Sequence, residues 1–212
     1  MSNSKDSVRL NPDERREQIL QVATSHYARA DHEAVSIQAI AKDANVARAL
    51  VYHYFPGKDA LLSAVLEREA EKLLAATAPL DGLSPRANLE RALGAYLDHF
   101  ASSTGRIRDL HVPRSTTATL VSDLVARNQA VQVGRVLDHL DLDDIPVTRV
   151  AIAAWLGLVT EAARQALIHP SIPRSETVRL CMQALRAVTG VNIDRSPKEP
   201  SSPRLQQQET DT

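Results

Sequence analysis

Apolar positions along this chain recur at three- and four-residue intervals, and no segment alternates with the period of two that marks a strand. A first helix is predicted from Pro12: Asn11 can cap it, Pro12 suits its first position, and Glu14 stands where a capping box needs it. Ile19, Ala23 and Tyr27 then recur on one face, with Leu20 and Val22 widening the stripe. Ser36 is the next cap, followed by Ile37, Ile40, Ala41 and Ala44 on one side of a helix of about two turns. Past a turn at Asn45, a second short helix runs from about Ala47 to Tyr54. Phe55-Pro56-Gly57 stops it, because proline disfavours helical geometry in the residue before it. Two short helices joined by a tight turn make a helix-turn-helix.

From Lys58 a long amphipathic helix carries Leu61, Leu62, Val65, Leu66 and Leu73 to about Ala78, ahead of Pro79 and Asp81-Gly82. Further helical patterns cover about 86–103, 114–140, 147–168 and 175–189, with a shorter piece near 106–112. Residues 1–10 and 194–212 are polar and aperiodic, which reads as disordered tails. The expected architecture is all-α: a helix-turn-helix domain at 11–57 and a helical domain at 58–193.

Composition narrows the classes. With 43% hydrophobic residues, seven glycines and 3% aromatics in 212 residues, the chain can bury a core and is poor in turn-rich β signals. A formal net charge of −1 gives no overall field toward nucleic acid, so any basic footprint is local. Between Ser36 and Lys58, three basic residues (Lys42, Arg48, Lys58) stand against Asp43 alone, whereas Asp138, Asp141, Asp143 and Asp144 form an acidic cluster later. The lone Cys181 excludes an intramolecular disulfide and any Cys-based metal cluster, in keeping with a reducing cytoplasm. The run Val150–Val159 is about half the roughly 20 residues a membrane span needs. The opening MSNSKDSVRL lacks the apolar core of a signal peptide. A soluble, cytoplasmic protein with no membrane partner is expected.

Three of the seven aromatics, Tyr52, Tyr54 and Phe55, crowd within four positions beside Arg48, His53 and Lys58. Phe55 and Val51 read as core on burial preference. Tyr52 and Tyr54 read differently: hydroxyls flanked by cations suit phosphate oxygens.

The segment RREQILQVATSHYARADHEAVSIQAIAKDANVARALVYHYFPGKDALLSAVL, about residues 15–66, resembles the TetR family of bacterial transcriptional regulators. The resemblance implies that the helix from Ala47 enters the major groove and that Tyr52, Tyr54 and Lys58 hold phosphates. It also implies that the start of the preceding helix, at Ser36 and Ile37, lies against the DNA backbone. Gln38, Arg48 and Ala49 match positions that read bases. That suits their chemistry: Arg bonds guanine bidentately, Gln does so with adenine, and Ala touches a thymine methyl. His53 matches a variable position, where base contact and a solvent-facing or phosphate-near ring are both open. Asp31 and Asn45 replace the glycines usual in the two turns, and they are among the residues that best tolerate left-handed backbone. Leu50 stands where a small or hydroxyl residue is common, which puts a phosphate contact there in doubt.

For the remainder, the resemblance implies an effector-binding and dimerising domain whose last two helices pair across a twofold axis. The 147–168 helix is apolar on more faces than one core requires, through Val150, Ala151, Ala154, Trp155, Leu158, Val159 and Ala162. Ala153, Ala154 and Gly157 permit close helix approach. Glu161, Arg164, Cys181 and Leu185 complete the candidate dimer interface, although Cys181 also reads simply as a small buried hydrophobe. Tyr96, His99, Phe100, His111 and Trp155 are the effector-pocket candidates, with ordinary core packing as the alternative for each, and the ligand stays unnamed but largely apolar. The acidic cluster lacks the Gly and terminal Glu of a calcium loop, so a solvated loop is favoured and no metal is expected. No catalytic motif is present, hence no catalytic residue and no cofactor is assigned. The contrary class, a helical metal-dependent or small-molecule-processing enzyme, wants Glu-x-x-His pairs that are not found. The expectation is a homodimeric regulator of a palindromic double-stranded DNA operator, released by a small molecule. Repression is the family's usual mode, and activation stays open.

Overall fold

A computed structural model describes residues 10–30, 32–102 and 118–193. Among them are eight α-helices and no strand, the all-α fold that the periodicity predicts. In α1 (Pro12–Tyr27) the capping box is complete: Asn11 Oδ1 accepts from the Glu14 amide, and Glu14 Oε2 accepts from the Asn11 amide, each at 2.8 Å. Amides that a helix start leaves without partners are thereby satisfied. A short 3₁₀ turn at His32–Ala34 precedes α2 (Ile37–Asp43), which Ser36 caps through the Ala39 amide at 3.3 Å. After α2, Asn45 takes φ 52, and the Asn45 and Val46 amides bond back to the Lys42 and Ala41 carbonyls at 3.0 and 2.9 Å. This is a Schellman closure with asparagine in the place of glycine. Asp31, the other glycine replacement, lies outside the described residues.

The recognition-type helix α3 (Arg48–Tyr54) stops at Phe55, which is extended at φ −136 ahead of Pro56. Gly57, at φ 117, then turns the chain into α4 (Lys58–Ala76). Ile37, Ile40, Ala41 and Ala44 all face inward as their spacing predicts, and they join Ile19, Val51, Leu61 and Leu62 in one core made by α1–α3 and the first half of α4. Each large aliphatic buried there contributes about 1.5–3 kcal/mol. Tyr27 is also inside; its hydroxyl donates to the Lys58 carbonyl at 3.1 Å, and burial, with Asp59 nearby, pushes its ionisation well above the ordinary range.

The second core belongs to α5 (Pro85–Ser102), α6 (Ala118–Leu140), α7 (Pro146–Ile168) and α8 (Arg174–Thr189), through residues such as Leu93, Val136, Ile152 and Met182. The expected piece near 106–112, residues 1–9 and the tail from 194 lie outside the described residues. The acidic run from Asp138 turns out to be a helix stop: Asp141 takes φ 54 and the Leu142 amide bonds the Leu137 carbonyl at 3.0 Å. Asp144 just beyond is held by Arg149 at 2.6 Å.

Two features tie the cores together. Leu124 and Val125 of α6 pack against the first core, and the last turn of α4 is hydrogen-bonded by α5 and α6. Arg135 donates to the Leu74 carbonyl at 2.6 Å, Arg91 to the Ala76 carbonyl at 2.9 Å, and Gln132 to Thr77 Oγ1 at 3.0 Å. With 23 residues and a mean hydropathy of 1.2 in its most apolar window, α7 meets the length and composition of a membrane-spanning helix. The shorter run Val150–Val159 understates this. Nevertheless α7 packs on α5, α6 and α8, with Ile152, Trp155, Val159 and Ala163 buried.

Candidate nucleic-acid interface and effector cavity

The outward face of the helix-turn-helix follows from which side of α2 and α3 the core consumes. Val51 and Phe55 point inward, as burial preference predicts. The other side of the helix is thereby turned out: Ala47, Arg48, Ala49, Tyr52 and His53 are exposed, with Tyr52 retaining 41% of its surface. Arg48 donates to the Tyr52 hydroxyl at 3.2 Å and lies 5.3 Å from that ring's centre, so a cation and a phenol are held together on the surface. Because the Tyr52 oxygen accepts from Arg48, its own proton stays free to donate. Tyr54 is half-buried against the first core, with its ring edge-on to His53 at 5.4 Å, so it is less available than Tyr52. Lys58 is half-buried, and its ammonium donates to the Glu33 carbonyl at 2.8 Å.

On α2, Gln38 is exposed and the Ser36 hydroxyl is occupied as a cap. Ile37 requires a correction: its side chain is only 6% exposed and belongs to the core, so this position can offer DNA its main-chain amide and nothing more. First-turn amides have no acceptor within their own helix, which leaves them suited to an anion. Lys42 is exposed, while the Asp43 carboxylate is paired with His26 at 2.8 Å. Sequence reasoning missed Arg16, whose guanidinium sits 5.2 Å from the Phe55 ring and adds a cation beside the end of α3. No spacing rule within the helix-turn-helix reaches back to α1, so the sequence held no direct signal for it.

Behind this head, the second half of α4 walls a cavity of about 390 Å³ shared with α5, α6 and α7. Tyr96 and Trp155 line it. The Tyr96 hydroxyl bonds Thr160 at 2.9 Å, and burial raises the ionisation of that phenol despite the hydrogen bond. Trp155 is pinned to α8 by its Nε1 donating to the Cys181 carbonyl at 2.8 Å. Two other pocket candidates require correction. Phe100 stacks on Tyr96 at 5.9 Å and packs with Leu97 and Ala163, thereby supporting a wall residue instead of lining the space, and His99 does not line it either. His111 lies outside the described residues. The sequence reading also missed Leu73, Gln132, Arg135 and His139, all of which line the cavity. The last three recur at three- and four-residue spacing with Asn128, a polar stripe that resembles a solvated face when its partner helices are unknown.

The interface candidates divide. Ala153 is half-buried, and Ala154, Gly157, Glu161 and Arg164 are exposed on α7, with Gly157 and Glu161 also at the cavity's edge. Cys181 and Leu185 are a correction: at 1% and 0% exposure they fill the chain's own core and cannot meet a partner. The outward face of α8 instead shows Leu180 and Val188, and that of α7 shows Val147 and Val150.

Comparison with known proteins accords with this geometry. The model of "Bacterial regulatory proteins, tetR family" matches residues 19–65. The HTH-type transcriptional repressor KstR of Mycolicibacterium smegmatis is 31% identical over 156 residues, 68% of this chain and 74% of that protein. Its namesake in Rhodococcus jostii is 29% identical over 155 residues, 68% of this chain and 70% of the other. A tetR-family transcriptional regulator from Streptomyces coelicolor superposes with a TM-score of 0.70 at 30% identity, covering 85% of this chain and 84% of its own. An exposed Arg-Tyr pair on a capped two-helix head, a long helix joining that head to a cavity, and these likenesses along most of the chain lead to one assignment: the protein belongs to the TetR family of bacterial transcriptional regulators.

Proposed function

We propose that the chain is a cytoplasmic, homodimeric repressor that binds a near-palindromic operator and leaves it when a small molecule enters the cavity between α4 and α7. The observation that carries the reading is the double membership of α4. Leu61, Leu62 and Val65 lie in the core that holds α3, while Ala70, Leu73, Leu74 and Thr77 wall the cavity. A ligand that reshapes the cavity therefore acts on the helix that positions the head. It need only bind the conformation that cannot span both half-sites more tightly than the one that can, and DNA and ligand then oppose each other reciprocally.

In this reading α3 lies in the major groove, with Arg48, Gln38 and Ala49 against bases and His53 beside them. Tyr52, Tyr54, Lys58 and the α2 amides at Ser36 and Ile37 hold phosphates. Ala47 starts the helix at the groove's edge. The exposed faces of α7 and α8, including Ala153, Ala154, Gly157, Glu161 and Arg164, meet across the twofold axis. The division into a head at 11–57 and a regulatory domain at 58–193 is retained, with α4 as the element common to both cores. A regulator of this kind needs no metal or cofactor and turns nothing over, which opposes the enzyme alternative.

The test is selection of duplexes from a random pool, followed by titration of the selected and a scrambled duplex. Binding about a thousandfold tighter to the selected sequence at physiological salt is expected. Failure of any sequence to enrich would refute the reading.

A further inference from the structure

Several polar groups around the cavity are paired with one another. Thr77 donates to the Leu73 carbonyl at 2.8 Å and accepts from Gln132. Thr160 donates to the Leu156 carbonyl at 3.0 Å and is bonded to Tyr96. Asn88 is tied to both the amide and the carbonyl of Leu80. Glu161 has both oxygens engaged by Arg164, and Gln165 adds to one of them. His139 Nε2, in contrast, is a buried atom with no partner. Arg135 precedes it by one helical turn on the same cavity-lining stripe, and it is bonded to a neutral carbonyl, that of Leu74. Among the described residues no carboxylate lies within ion-pair distance of Arg135. On α5 and α7, Leu89, Leu93, Trp155 and Val159 give the cavity an apolar share, beside the paired Asn88, Tyr96, Thr160 and Glu161. Among the described residues, a cavity-lining guanidinium without an ion-pair partner, one turn from a buried imidazole nitrogen without a hydrogen bond, complements an anion with an apolar body.

We infer that the effector is an apolar carboxylic acid, bound as its carboxylate between Arg135 and His139, with its hydrocarbon part against α4, α5 and α7. This rests on the cavity being the effector site. About 390 Å³ accommodates roughly 20 non-hydrogen atoms, within the range of small-molecule pockets. The carboxylate competes with the Leu74 carbonyl for Arg135, and a charged acceptor holds a guanidinium more strongly than a neutral one does. A carboxylate that draws the guanidinium toward itself weakens the bond from Arg135 Nη1 to the last turn of α4. That supplies the difference in contacts between bound and free states that a switch requires.

The experiment compares three probes of one shape on the full chain: 1-pyrenebutyrate, 1-pyrenebutanol and 1-pyrenebutylamine. Trp155 is the one tryptophan of the sequence and lines the cavity, so energy transfer from it to pyrene reports binding, and the Arg135 variants tell whether the probe sits at this site. The acid should bind about tenfold or more tighter than the alcohol, with the amine weakest, and the acid should release the selected duplex at the lowest concentration. Arg135→Met should bring the acid to the level of the alcohol while leaving the alcohol within about twofold; Arg135→Lys should keep part of the preference. Equal binding of acid and alcohol to the unaltered chain overturns the carboxylate proposal and leaves the effector reading standing. Absence of energy transfer with all three overturns both. If Arg135→Met loses helicity, the ranking of the three probes on the unaltered chain decides.

Discussion

Val150 and Leu180 are large aliphatic side chains that remain 68% and 54% exposed, on the outward faces of α7 and α8. Full burial of such a side chain is worth about 1.5–3 kcal/mol, so the exposed part of each retains about 1–2 kcal/mol that only a second surface can recover. In a twofold interface each position occurs twice, which makes about 2–4 kcal/mol per substitution before any charge is counted. Val150→Glu or Leu180→Glu forfeits this and brings a carboxylate into an apolar seam, a further cost unless it is paired. The dimer dissociation constant should rise by a factor of about 30 to 1000. Sedimentation equilibrium measures it, and circular dichroism at the same concentrations checks that the helices persist. Cys181→Ser is the control: the thiol is inside the chain's own core, so it should lower the melting temperature without changing the association constant. Dimers of unaltered affinity in both glutamate variants would refute the argument from these faces.

Arg48→Ala should relax base preference at one operator position by about 1–3 kcal/mol, read by titrating single-base variants of the selected duplex; equal losses on specific and random duplexes would contradict a reading role. Lys58→Ala should weaken all sequences alike and lower the salt slope of binding by about one, measured between low and physiological salt. At Asn45, valine should cost about 1–2 kcal/mol in denaturant unfolding because φ is positive there, whereas glycine should be neutral or stabilising.

Local signals were the ones a sequence could carry. The capping box at Asn11 and Glu14, the cap at Ser36, the left-handed Asn45 and the stop before Pro56 are each settled within four or five residues, and the structure has all of them. The inward face of α2 was equally legible, yet the resemblance drew Ile37 toward DNA while its spacing drew it into the core, and the spacing prevailed. Errors concentrate where the answer depends on another helix. Cys181 and Leu185 share an inward face of α8, and Leu180 shows that the outward face lies one position away; nothing in α8 alone says which side α7 will cover. Likewise Arg135 and His139 look like surface residues until α4, α5 and α7 close around them.

The remaining question is whether so small a change at the cavity can matter at the DNA. Carbonyls in the last turn of a helix lack partners within it, and in α4 they are taken by neighbours: Leu74 by Arg135, Ala76 by Arg91, with Leu73 accepting from Thr77. Two guanidinium groups also suit the negative end of the helix dipole, so this terminus is held by charge as well as by contact. The 19 residues of α4 span about 28 Å at about 1.5 Å per residue. A shift of about 2 Å at the cavity end of such a rod, turned about its middle, is a tilt of about 8°. The head end moves about as far the other way. In the proposed dimer two heads then change their separation by up to about 4 Å, more than the roughly 3.4 Å rise of one base pair. A rigid duplex fixes half-sites about 34–36 Å apart, so a mismatch of that size costs contacts at one head or the other. Loosening of a single clamp on α4 is therefore enough in amplitude; its sufficiency in energy is what the Arg135 variants measure.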